Sequence, residues 1–157
     1  MRIVVLSDTH GSLEAFERIY QAQCTADYFI FLGDGYEQAR TMRARHPEIP
    51  LLAVTGNCDF RENDSDVKLL TLEDGRKVIY THGHRFHVKY GIEELVDFAV
   101  GSGASVVLFG HTHEKLCRYL DGILYVNPGR AASYDGFRFA TLDFKDDQII
   151  ANLAHIK

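Results

Sequence analysis

The stretch RIVVLSDTHGS, residues 2–12, decides how this chain folds. Four apolar residues at 3–6 run into Ser7, Asp8, Thr9 and His10. Leu13, Phe16 and Tyr20 then recur at 0, +3 and +7 behind Ser12. A short β-branched run closed by polar residues reads as a buried strand, and the spacing that follows reads as a helix with Ser12 as its N-cap. A strand that feeds a helix through a short polar loop is the first half of a β-α-β unit.

The same grammar recurs outward from that stretch. Strand-like runs are YFIFLG (28–33), LLAVTG (51–56), KVIYTH (77–82) and SVVLFG (105–110). A weaker helix covers about 36–45 and must stop near His46, because Pro47 disfavours helical geometry in the residue before it. Another helix carries Ile92, Leu95, Val96 and Ala99 at 0, +3, +4 and +7, ahead of Gly101 and Gly103. Strands alternating with helices imply right-handed crossovers and a largely parallel sheet. Asp74-Gly75, Asp121-Gly122 and Asp146-Asp147 each separate two strand-like runs, which predicts three hairpins. The expectation is two mixed sheets packed face to face with helices outside, in one domain spanning residues 1–157.

Composition narrows the function. A length of 157 residues with 46% hydrophobic content suits one compact core. A net charge of -5, from 22 acidic and 17 basic residues, leaves no extended basic face for nucleic acid or an anionic membrane. No apolar run approaches the roughly 18 residues that a spanning helix needs. Cys24, Cys58 and Cys117 are odd in number and form no C-x-x-C pair, so neither a disulfide framework nor a thiolate zinc site is expected, and the predicted location is the cytoplasm.

The polar residues that interrupt the apolar pattern all follow strands: SDTHG, GDG, GNCD, THGH and GHTH. In open α/β sheets that edge is where ligands bind. Asp8 and His10 are two apart, as are His111 and His113, and in extended chain such pairs face the same side. With Asp34, Asn57 and His82 they make two carboxylates, four imidazoles and one carboxamide. That mixture suits manganese, iron, cobalt, nickel or zinc better than calcium or magnesium. Seven ligands exceed the needs of one catalytic ion and suit two ions sharing a carboxylate and a hydroxide. The balance of charge is then about one positive, which would attract a phosphate ester.

These five motifs, in this order, resemble those of the calcineurin-like metallophosphoesterases, and most closely the small YfcE-like phosphodiesterases; NPG at 127–129 extends the likeness. The resemblance implies a four-layer α/β/β/α sandwich with a dinuclear centre, manganese first among its divalent ions. It implies Asp8, His10, Asp34 and His113 around one metal and Asp34, Asn57, His82 and His111 around the other, with Asp34 as the bridge. The expected activity is hydrolysis of a small phosphodiester by a metal-bridging hydroxide. Rival readings are a phosphomonoesterase with the same centre, a non-catalytic protein-binding scaffold of the same fold and a hydrolase built on Cys58 and His82. Family members often self-associate, so a homo-oligomer is an expectation too.

Other residues are weighed against plainer roles. His84, two past His82, is a candidate substrate contact or supporting residue. Arg130, just after NPG, could reach a phosphate oxygen or form a salt bridge, and Arg61 is a further candidate cation. His46, His87 and His155 read as surface residues. Cys58 stands where many superfamily members have a histidine thought to protonate the leaving group. A thiol is a poorer proton donor near neutral pH, and Asn57 beside it would face the other way in extended chain. Cys58 is therefore expected to be a filler, with better turnover of activated aryl esters than of alkyl ones.

Overall fold

The computed structural model describes residues 1–60 and 66–157. In chain order the elements are β1 (Arg2–Leu6), α1 (Leu13–Ala22), β2 (Tyr28–Phe31), α2 (Tyr36–Arg45), β3 (Leu51–Ala53), β4 (Val67–Thr71), β5 (Lys77–Thr81), α3 (Glu93–Ser102), β6 (Val106–Leu108), β7 (Lys115–Leu120), β8 (Ile123–Pro128), β9 (Ala132–Ser133), β10 (Gly136–Lys145) and β11 (Gln148–Ile156). Arg61, a candidate cation, lies outside the described residues.

Two mixed sheets form. The first has the order β11-β10-β1-β2-β3, with β9 paired to β10; the second has β4-β5-β6-β8-β7. Each keeps a parallel heart, β1-β2-β3 in one and β5-β6-β8 in the other, flanked by antiparallel strands. Two mixed sheets packed face to face are what the sequence predicts, with the parallel pairing confined to the heart of each. All three predicted hairpins form, as β4-β5, β7-β8 and β10-β11.

Alternation along β1 explains the layering. Ile3 and Val5 face the second sheet and join Ile30, Val78, Val106 and Val126 in the middle core. Val4 and Leu6 face outward and pack with Phe16, Ile19, Ala39 and Met42 of α1 and α2. Leu95 and Ala99 of α3 cover the far face of the second sheet against Val107, Phe109 and Tyr125. Four layers result, as predicted. Burying each large aliphatic or aromatic side chain stabilises by about 1.5–3 kcal/mol relative to exposure.

One pairing is long in reach. Arg2 and Val5 stand opposite Asp143 and Ala140, so β1 lies between a near neighbour in sequence and the chain's last hairpin. No helix among the described residues is long and apolar enough to cross a membrane.

Candidate metal centre

The strands end early so that their loops can turn inward. β3 stops at Ala53 and β6 at Leu108, short of the expected 56 and 110. Asp8, His10, Asp34, His111 and His113 all have positive φ, between 44° and 67°. For residues other than glycine that conformation costs on the order of 1–3 kcal/mol where strained, and it clusters at functional sites. The extended geometry assumed for the two i, i+2 pairs is therefore corrected. In particular, His111 and His113 do not face one point: the first joins Asp34 and His82, the second joins Asp8 and His10.

A lattice of backbone bonds holds these turns together. The Asp8 amide donates to Gly33 O at 3.0 Å, that of His10 to Asp34 O at 2.9 Å and that of Gly110 to His82 O at 3.1 Å. Gly56 is required by contact: a Cβ there would overlap the Asp34 amide and its Oδ1.

The donor atoms fall into two clusters. In the outer one, His10 Nε2 and His113 Nε2 are 3.1 Å apart, and Asp8 Oδ1 lies 3.2 Å from His113 Nε2. In the inner one, His82 Nε2 lies 3.1 Å from both Asn57 Oδ1 and His111 Nδ1. Asp34 Oδ2 stands between them, 3.5 Å from His82 Nε2 and 3.9 Å from His10 Nε2. Its other oxygen accepts the Cys58 amide at 2.9 Å.

The residues fit divalent metal ions on the molecule's own terms. Asp8 Oδ1 is buried and accepts no hydrogen bond, an omission that a buried carboxylate oxygen rarely tolerates without an ion or water. Imidazole nitrogens crowd at hydrogen-bond distance in both clusters. His82 Nδ1 donates to Leu32 O at 2.7 Å, which turns the lone pair of Nε2 toward the centre, the usual outer support of a metal-binding histidine.

Charges follow the same division. Burial works to raise the pKa of Asp34, but the hydrogen bond and charge of His82, with the Cys58 amide, hold it below the usual carboxylate range. Burial works to lower that of His82, yet Asp34 and Asp8 outweigh it and the pKa is raised. His111 is pushed down to about 4 by burial, then by the charges of His82 and Lys89. His113 is lowered by burial, against Asp8, with His10, Arg130 and Lys89 adding to the effect.

All seven predicted ligands thus meet at one place. His84 lies beside the inner cluster, its ring 5.4 Å from that of His82, with Nε2 3.7 Å from Asp66 Oδ2; it belongs to neither cluster. Arg130 is exposed, donates its amide to His113 O at 3.4 Å and forms no ion pair among the described residues. His87 pairs with Glu94 and His46 with Glu48, while His155 is exposed on β11, as expected of surface residues.

Cys58 needs a correction. Residues 56–59 form a turn, closed by the Asp59 amide on Gly56 O at 3.2 Å, so Asn57 and Cys58 do not alternate. The thiol faces the centre, where its sulfur, a His10 nitrogen and an Asp34 oxygen lie within 4.8 Å of one another. Burial and then the charge of Asp34 raise its pKa, which keeps it a thiol and argues against a nucleophile.

Two supporting residues, and Lys89 whose charge bears on His111 and His113, escaped the sequence reading. Asp59 accepts the amides of Asp34, Gly35, Tyr36 and Gly56 at 2.8–2.9 Å, capping α2 and locking the Asp34 turn. Asn127, fully buried, donates to Gly110 O and Thr112 Oγ1 at 3.0 Å and braces the loop carrying His111 and His113. Both stood inside quoted motifs, GNCD and NPG. Lys89 had no such signal.

The geometry has a counterpart among known proteins. Residues 1–147 match the calcineurin-like phosphoesterase superfamily domain. The chain belongs to that superfamily and is a metal-dependent phosphoesterase. It is 35% identical to the probable metallophosphoesterase YsnB of Bacillus subtilis, over 82% of this chain and 74% of that one. It is 28% identical to the phosphodiesterase YfcE of Escherichia coli K12, over 98% and 92%. A crystal structure of a conserved protein from Streptococcus pneumoniae TIGR4, itself a predicted phosphoesterase, superimposes with a TM-score of 0.82 at 24% identity, covering 98% of this chain and 88% of that one.

Proposed function

We propose that this chain is a phosphodiesterase with a dinuclear centre, acting on a small phosphate ester. The observation that carries the reading is Asp34, whose Oδ2 stands within 4 Å of a histidine nitrogen in each cluster, the position of a carboxylate shared by two ions. Asp8, His10 and His113 would hold one ion; Asn57, His82 and His111 the other. When bound, two such ions supply an activated water and neutralise the charge that builds on phosphorus.

The remaining work falls to the protein. His82, fixed by Leu32 O, keeps its tautomer. Asp59 and Asn127 hold the loops so that the donor atoms need not reorganise, which is how a preorganised polar site lowers a barrier. Among the described residues, Lys89 and Arg130, whose charges bear on His113, are candidate cations for phosphate oxygens. No histidine takes the place of Cys58 as a proton donor, so leaving groups that depart as stable anions should react best.

The two cations also favour a second reading, a phosphomonoesterase, since a dianionic ester needs more positive charge. Protein stripped with chelator and given manganese or nickel should cleave bis(p-nitrophenyl) phosphate faster than p-nitrophenyl phosphate. The reverse order would favour the monoesterase, and no cleavage of either with metal bound would remove both readings.

A further inference from the structure

One wall of the centre opens into a cavity of about 290 Å³. His10, Asp34 and Cys58 form its inner side; Tyr36 and Glu37, from the first turn of α2, and Phe60 form its outer side. Gln38, which also lines it, accepts a hydrogen bond from Thr9 Oγ1 at 3.3 Å. The Phe60 ring is fully exposed, as are Tyr90 and Tyr134, but unlike them it lines the cavity beside the candidate ligands, where an aromatic face is open to stacking.

Size and charge say what fits. Sites for drug-sized ligands start near 300 Å³, so the cavity itself has room for about one ring system. Asp59 also touches the cavity, but its oxygens are consumed by four amides. Glu37 is the other carboxylate at the mouth, 70% exposed and, among the described residues, paired by its side chain with Arg40 on its own helix, at 3.0 Å. It disfavours an anionic substituent. Lys89 and Arg130 do not line this cavity.

We infer that the cavity between the first turn of α2 and Phe60 is the subsite for the organic substituent of the ester, selecting a single aromatic group, uncharged or cationic, that stacks on Phe60. The inference rests on the phosphate-ester reading of the adjacent centre. It orients the substrate, with phosphorus at the metal ligands and the ring over Phe60.

Phosphonates test the subsite without turnover, because each carries one substituent on a phosphorus that is not hydrolysed. By calorimetry on manganese-loaded protein, phenylphosphonate should bind about tenfold more tightly than methylphosphonate, the scale of one ring stacked on an aromatic side chain. Phe60→Ala should erase that ratio. In the unaltered protein 4-carboxyphenylphosphonate should bind more weakly than phenylphosphonate, and Glu37→Lys should reverse that order. Equal binding of methyl and phenyl compounds, or a preference that survives Phe60→Ala, overturns the inference; an unreversed order in Glu37→Lys overturns its charge selection. Phosphonate binding with the expected ratios but no cleavage of any diester would sink the phosphodiesterase and leave the subsite standing. Failure of both phosphonates to bind would sink both.

Discussion

The two halves of the centre are built differently. The contrast lies in their histidines: the side chain of His82 is 0% exposed and those of His10 and His113 are 25% and 39% exposed, although Asp8 beside the latter is buried and Asn57 beside the former is exposed. His82 is anchored to a strand-end carbonyl, whereas His10 and His113 lean on each other across a gap between loops. His82 belongs to the core and is preorganised by folding. His10 and His113 are assembled at its surface, so their order would depend more on a bound ion.

Variants can break this comparison. Asp34→Ala, touching both halves, should lose about a thousandfold in kcat/KM and retain less than one ion per chain, read by elemental analysis beside the hydrolysis assay. Retention of two ions would show that Asp34 is no bridge. Gly56→Ala should push Asp34 out of place and lower the stability of the metal-free protein by about 1–3 kcal/mol in urea unfolding.

A smaller contrast separates the halves themselves. His82→Ala leaves the Leu32 carbonyl unpaired and a void beneath it, at about 2 kcal/mol. His113→Ala, at the surface, should stay within about 0.5 kcal/mol of the parent when metal is absent. Both should weaken metal binding. Equal destabilisation of the two metal-free variants would erase the distinction.

Protonation gives the finest test. In metal-free protein the raised pKa of His82 contributes stability that is full below its unfolded value near 6.5 and is lost as pH rises through the folded value. His111 has the opposite sign: its pKa of about 4 contributes stability present above pH 6.5 and lost as pH falls toward 4. Imidazole titration by NMR should find His111 neutral at pH 5.5 while His82 is charged. Metal affinity should accordingly rise from pH 6 to 8, as His82 gives up its proton.

Much of this was legible in the sequence for a physical reason. Apolar runs bounded by turns mark strands that are buried on both faces, and polar residues at their ends have nowhere to go but one edge. The local geometry was not legible, because pairs such as Asp8 and His10 were read as extended while the fold holds them in left-handed backbone. Asp59 and Asn127 act on backbone groups far from them in sequence, and Lys89 comes near His111 only through tertiary folding. The place of β10 beside β1 was equally hidden, since strand order is a long-range property.

That placement bears on how the protein is made. Every candidate ligand lies before residue 114, yet Arg2 binds the carboxylate of Asp143 across 141 positions, and β1 has no second neighbour until β10 arrives. At ribosomal speeds of about 5–20 residues per second, the strand that carries Asp8 waits several seconds with one edge open. A nascent chain that already holds all seven donors is still short of a finished first sheet, and metal delivered then would meet loops whose scaffold is incomplete.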